Sequence, residues 1–269
     1  MKVCTLASGS SGNAVYIEAE DTRLLIDAGM SGRAITSRLE AVGVSGEDLD
    51  AILVTHEHID HIKGVGVLSR RFDLPVYATG ATWQAMPSSV GVIREENIRY
   101  LTAGSGLEIG SQQVEVFGTS HDAADSVGFT FFHGHSKIGL ATDTGCLNNY
   151  IRQRLQGCDV LVFEANHDLQ MLKNGRYPWS LKQRILSDRG HLSNAAAGHC
   201  LASLVTEQTK AVVLAHLSEE NNRPDLAYAT VAEILERNGL KPGTDLTLEI
   251  APRSEPGRSW KLSDGNEGE

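Results

Sequence analysis

Within seven residues, Thr55-His56-Glu57-His58-Ile59-Asp60-His61 gathers three imidazoles and two carboxylates, directly after the apolar run 51–54. The run reads as a buried strand. A loop at the C-terminal end of a strand is where α/β proteins often place reactive side chains, because the strand is rigid and the loop can turn them inward. His56, His58, His61 and Asp60 are the ligand types that Zn²⁺ prefers and that Mn²⁺ or Fe²⁺ accept. The pattern H-x-H-x-D-H arises by chance in about one chain per thousand of this length. A metal centre is therefore favoured over the bland alternative of a solvated polar loop.

The rest of the chain alternates strands and helices around that loop. Apolar and β-branched patterning predicts strands over 15–19, 23–27 and 76–78, with helices over 35–42 and 62–71. A hairpin-rich section follows, with strands over 107–109, 113–119, 127–133 and 138–142. The back half returns to alternation: strands over 160–164, 211–214 and 246–251, and helices over 181–186, 194–204 and 225–238, the last opened by Pro224. Two strand-rich sections, each followed by helices, imply an α/β fold built as an αββα sandwich. No internal repeat or low-complexity linker divides the chain, so a single domain over 1–262 is expected, with a disordered tail over 263–269.

Composition sets limits on function. The start of the chain lacks the apolar core and cleavage site of a signal peptide, and no apolar run approaches a membrane span. Cys4, Cys146, Cys158 and Cys200 form no C-x-x-C pair, which fits a reducing cytoplasm and mostly buried thiols. The net charge of −10 runs against broad electrostatic binding of a phosphate backbone. Two divalent ions would, however, bring about four positive charges to one cleft.

A two-metal centre needs more ligands than one loop supplies, and other candidates stand at other strand ends: His121 after 113–119, Asp143 after 138–142, His216 after 211–215, and Asp27 at the end of 23–27. Together these residues resemble the motifs of the metallo-β-lactamase superfamily. The resemblance covers nearly the whole chain and implies a four-layer sandwich. It also implies that His56, His58 and His121 hold one metal, that Asp60, His61 and His216 hold the other, and that Asp143 bridges them. Asp27 would support the site without binding metal.

Finer segments resemble the WalJ (also YycJ) group of nucleic-acid exonucleases, related to tRNase Z: Leu6 to Asn13, Phe163 to Asp168, Gly190 to Asn194 and His216 to Asn222. On that resemblance Asp60, Glu164 and His191 are the catalytic candidates, with His191 as proton donor to the leaving group and Glu164 as its partner. His191 is followed by Leu192 and Ser193, a departure from the tRNase Z motif. The segment 8–13, rich in Gly and Ser, suits phosphate binding through Ser10, or else only a tight turn. The basic stretch 173–189, interleaved with Tyr177 and Trp179, suits a phosphate backbone through Arg176 and Lys182, or else only a solvated helix face. The expected function is a phosphodiesterase, an exonuclease on DNA or RNA in which two Zn²⁺ or Mn²⁺ ions (or Fe²⁺) activate a bridging water as hydroxide. The alternative is hydrolysis of a lactone, thioester or other ester at the same centre.

Overall fold

The computed structural model describes residues 1–262; the tail 263–269 lies outside the described residues. It begins with a strand that periodicity does not reveal, β1 (Lys2–Ala7). Five of its six side chains are buried, on both faces of the sheet, so no polar alternation marks it. β1 pairs antiparallel with β2 (Ala14–Ala19), which pairs antiparallel with β3 (Thr22–Ile26). The sheet then turns parallel through β4 (Ala51–Leu53), β5 (Val76–Thr79) and β6 (Ile98–Leu101).

The second sheet repeats that order. β7 (Gly106–Ile109), β8 (Gln112–Gly118), β9 (Val127–His133) and β10 (Ser136–Ala141) form an antiparallel meander. β11 (Val160–Glu164), β12 (Ala211–Ala215) and β13 (Thr247–Ile250) extend it in parallel. β14 (Trp260–Lys261) returns to the edge of the first sheet beside β1, giving two sheets of seven strands.

Alternation along the strands sorts side chains into layers. Ile17, Leu24 and Ile26 face across to Phe129, Phe131, Leu140 and Val162, forming the core between the sheets. Their neighbours Tyr16 and Leu25 point to the other face, where helices Gly32–Ala41 and Val65–Phe72 cover them. Leu161, Phe163 and Leu214 do the same on the second sheet beneath helices Asn149–Leu155, Asn194–Leu204 and Pro224–Arg237. Each such buried side chain contributes about 1.5–3 kcal/mol by leaving water. The result is the expected four layers: helices, sheet, sheet, helices.

The helix expected over 62–71 is broken. Ile59–Ile62 and Val65–Phe72 are separate, and Gly64 lies between them. Gly64 N–H donates to Ala28 O at 2.7 Å, and a Cβ on residue 64 would lie 2.5 Å from Met30 O. The chain must bend there to stay against 28–30. Among the described residues no helix is long and apolar enough to cross a membrane.

Candidate active site

Parallel neighbours end on the same edge of a sheet. Asp27 follows β3, the loop Thr55 to His61 follows β4, and Asp143, Glu164 and His216 follow or end β10, β11 and β12. Asp27, Asp143 and His216 are also three of the five non-glycine residues with positive φ among the described residues, at 59°, 53° and 57°. Such backbone persists where its surroundings over-determine it, and it turns each side chain sharply off its strand into the gap between the sheets.

The ligand loop is held by main-chain hydrogen bonds to two other segments. Asn13 N donates to Asp60 O at 2.8 Å, Gly29 N to Asn13 O at 2.9 Å, and Ala28 N to His61 O at 2.7 Å. The approach is close enough that a Cβ on Gly29 would lie 1.7 Å from Asp60 O. Asn13 Nδ2 completes the lacing, 3.1 Å from His61 Nε2.

Hydrogen bonds at the outer ring nitrogens orient four imidazoles. Thr55 Oγ1 donates to Asp27 Oδ2 at 2.8 Å and is therefore free to accept from His56 Nδ1 at 3.0 Å. His61 Nδ1 donates to Asp27 Oδ2 at 2.7 Å, His121 Nδ1 to Gly190 O at 3.1 Å, and His216 Nδ1 to Glu164 Oε1 at 3.0 Å. In each ring this turns Nε2 toward the centre, the arrangement by which outer partners fix metal-binding histidines. Asp27 thus stands behind the His61 ring and, through Thr55, behind His56.

The inward atoms form two groups. His58 Nδ1 lies 3.0 Å from His56 Nε2 and 3.3 Å from His121 Nε2. Asp60 Oδ2 lies 3.8 Å from His61 Nε2 and 3.5 Å from His216 Nε2. Asp143 stands between, with Oδ2 3.3 Å from His61 Nε2 and Oδ1 3.7 Å from His121 Nε2. His56, His58 and His121 lie close enough to share one ion, as do Asp60, His61 and His216.

The donor set fits divalent cations. Among the described residues no well-formed hydrogen bond reaches the buried Asp143 Oδ2 or His216 Nε2, which is costly unless something polar or charged does. Burial opposes charge throughout the site, yet Asp143 and Asp27 hold His61 well above the usual histidine range. Against the same burial, Asp143 with Asp60 and Glu164 raises His216 to about 10. Burial pushes His56, which has only weaker carboxylate help, well below that range. The carboxylates demand positive charge at the centre, and protons or cations can meet that demand.

Asp143, Glu164, His191 and His216 also lie within reach of a single ion, but Glu164 has no lone pair to spare. Its Oε2 accepts from Thr144 N at 3.0 Å and Leu192 N at 3.1 Å, and its Oε1 accepts from His216 and, at 2.7 Å, from His191 Nδ1. Burial disfavours its charge, but His191 and His216 outweigh burial and lower it to about 2. Glu164 therefore favours its anionic form beneath both histidines. Burial also disfavours a charged His191, and Glu164 with Asp143 overcomes it, so His191 is raised.

A cavity of about 240 Å³ opens over the cluster, with His58, Asp60, His121, Asp143, His191 and His216 in its walls. Ser10 lines it too. Of the other expected substrate contacts, Arg176 is exposed and outside the cavity wall. Lys182 turns away: it is only 8% exposed, and its ammonium donates to Lys173 O at 2.8 Å and Gly175 O at 2.7 Å. It tethers the helices Leu169–Asn174 and Trp179–Ile185 to one another. The basic residue that reaches the cavity is Arg184, paired with Asp122, alongside Tyr177, Leu181 and Ile185. Residues 181, 184 and 185 share a helix face by their i, i+3, i+4 spacing, whereas 182 is turned about 100° away. That periodicity was the available signal for Arg184. Thr55, Asn13 and Asp122 carried no comparable mark.

The model of the beta-lactamase superfamily domain matches residues 22–217. The chain belongs to the beta-lactamase superfamily. It is 44% identical over 238 residues to Exodeoxyribonuclease YycJ of Bacillus anthracis, spanning 88% of this chain and 90% of that one. It is 43% identical to Exodeoxyribonuclease WalJ of Streptococcus pneumoniae serotype 2, over 92% and 93% of the two chains. The resemblance to the WalJ group is thus borne out. In fold the chain is similar to the metallo-beta-lactamase fold protein YhfI of Bacillus subtilis, with a TM-score of 0.74 at 18% identity over 97% of this chain and 99% of that one. It is similar also to human tRNase Z, short form, with a TM-score of 0.64 at 16% identity over 96% and 99%.

Proposed function

We propose that this chain is a metal-dependent nuclease, an exonuclease that hydrolyses phosphodiester bonds of DNA at the cavity over the histidine cluster. The observation that carries the reading is near full-length similarity, at 44% and 43% identity, to two proteins named as exodeoxyribonucleases. In this reading His56, His58 and His121 would hold one ion, Asp60, His61 and His216 the second, and Asp143 would serve both. Two divalent ions, Zn²⁺ or Mn²⁺, would supply Lewis acidity toward the phosphate and lower the pKa of water.

The chain's own groups do the rest. Arg184 supplies a cation for a nonbridging phosphate oxygen, and its exposed pairing with Asp122 is cheap to exchange. Tyr177, Leu181 and Ile185 narrow the water space beside the scissile bond. His191 uses Nδ1 to reach Glu164, which leaves Nε2 to deliver a proton to the departing sugar oxygen. Glu164, held as an anion, fixes the ring and supports its protonated form. The small-molecule ester alternative has a more distant relative on its side, Hydroxyacylglutathione hydrolase of Methylobacterium, 26% identical over 221 residues.

The test is incubation of metal-loaded protein with end-labelled DNA and RNA beside a His58→Ala control. Stepwise shortening of DNA by the wild type alone is the expected result. No cleavage above the control, together with turnover of a lactone or thioester, would replace the nuclease reading with the esterase one.

A further inference from the structure

A second cavity, about 500 Å³, adjoins the first. Its walls include the apolar Leu217, Pro224, Ile250 and Pro252, with Ser218 shared between the two cavities and the pair Arg253 and Glu219 also lining it. The shared wall is short and well fixed. His216 faces the metal-type cluster, and its N–H donates to Ser8 Oγ at 2.6 Å, while Ser8 itself lines the second cavity. Ser218 N–H donates to Asn166 O at 2.8 Å, which holds the dividing strand of chain against the β11 end. One loop, 216–219, therefore faces the reacting centre on one side and the second cavity on the other.

Resting on the nuclease reading, we propose that this second cavity is a subsite for the nucleotide next to the scissile phosphate: the apolar walls take its base, and Arg253 takes its outer phosphate. A nucleic-acid strand with one phosphate at the histidine cluster carries its adjoining nucleotide beside it, and the second cavity, which shares Ser218 with the first, is a neighbouring space that can receive it. The apolar walls gain from burying the faces of a heterocyclic base without hydrogen-bonding it, so the site would accept more than one base. The Asn222 side chain at the base of this cavity is already spent on Ala165 O, Asn166 O, Asn194 and Arg223 N, and so reads no base edge.

Arg253 suits the phosphate. Its side chain lies over Gly9, where a Cβ would be 3.5 Å from its Nε, and so it spans the loop that carries Ser8 and Ser10. Among the described residues it pairs with Glu219, at 3.2 Å, whose side chain is 65% exposed. An exposed ion pair of this kind is worth only about 0–1 kcal/mol, so a phosphate can displace Glu219 readily. Neither Arg253 nor Ile250 touches the histidine cluster, so substitutions there separate the subsite from the chemistry.

The experiment compares wild type, Arg253→Ala and Ile250→Trp on a single-stranded oligodeoxynucleotide and on a nitrophenyl phosphodiester too small to reach the second cavity. Both variants should keep kcat and KM on the small diester. On the oligonucleotide, KM should rise about tenfold for Arg253→Ala, with a shallower dependence on salt, and Ile250→Trp should raise KM by blocking the base. Unchanged KM and salt slope on the oligonucleotide in both folded variants would overturn the subsite. A wild type that cleaves neither substrate would instead remove the nuclease reading on which it rests. Loss of small-diester activity in both variants would show that the cavity shapes the centre itself, which also overturns the proposal.

Discussion

One oxygen of Glu164 accepts from His191 at 2.7 Å and from His216 at 3.0 Å, so a single carboxylate orients the proposed proton donor and a proposed metal ligand together. The sequence suggests that Glu164 and His191 form a pair, whose replacement would lower turnover by about 10² to 10⁴ fold and leave metal content intact. The shared oxygen breaks that symmetry. His191→Ala should retain both ions and lose only leaving-group protonation, so a nitrophenolate leaving group should largely rescue it. Glu164→Gln should lose metal as well, because the amide nitrogen would face either the imidazole donors or the Thr144 and Leu192 N–H groups. Metal analysis and paired kcat measurements check this, and equal metal content in the two variants would contradict it. That the site residues converge was legible because strand ends are legible: an apolar run followed by His or Asp marks each of Asp27, His121, Asp143 and His216. Lys182 and Arg184 show the limit of that approach. Both are basic residues of one short helix, and only the face each occupies decides which reaches the cavity and which is spent on carbonyls.

The elements around the centre were legible where alternation or strand-forming residues mark them. β8 alternates and was found close to its observed bounds, and β2 and β9, although largely buried, were found from their β-branched and aromatic residues, whereas β1 is buried on both faces and left no period to read. The break between Ile59–Ile62 and Val65–Phe72 was hidden for a different reason: it answers to a close approach from residues 28–30, distant in sequence. That approach can be tested at Gly29. A methyl group there would meet Asp60 O at 1.7 Å, so main chain and not a pliable side chain must move. Gly29→Ala should destabilise the fold by about 1–3 kcal/mol, the usual cost of overpacking. It should also weaken the ion assigned to Asp60, His61 and His216 more than the one assigned to His56, His58 and His121. Thermal melts and stepwise metal titration measure the two effects. A variant as stable as the wild type, filling both sites equally, would show that the lacing does not fix the ligand loop.

At the scale of the whole molecule, the two sheets repeat one plan, an antiparallel meander followed by parallel strands, although no repeat is visible in the residues. What repeats is strand direction, which many sequences satisfy, and its consequence is that the parallel strand ends of both halves meet at one cleft. The net charge of −10 belongs to this scale too. Three acids line the central cavity, Asp60, Asp122 and Asp143, against the single guanidinium of Arg184. Without added cations the protons held on the raised His191 and His216 only balance those acids, so the cleft offers a phosphate little net attraction, and the field of the whole chain does not help. DNA affinity should therefore depend on divalent metal far more than on monovalent salt. With Arg184 and Arg253 as the two phosphate contacts, the slope of log affinity against log salt should be about −1.4 for a single strand, from roughly −0.7 per contact. His191→Ala, which spares the substrate, allows this to be measured by fluorescence anisotropy. With Mn²⁺ present, raising salt from about 50 to 200 mM should weaken binding only about sevenfold, whereas chelating the metal at constant salt should weaken it more than that. Binding that survives chelation, or a slope several times steeper, would mean that the strand is held by a basic surface elsewhere and that the cleft's own charge plays little part.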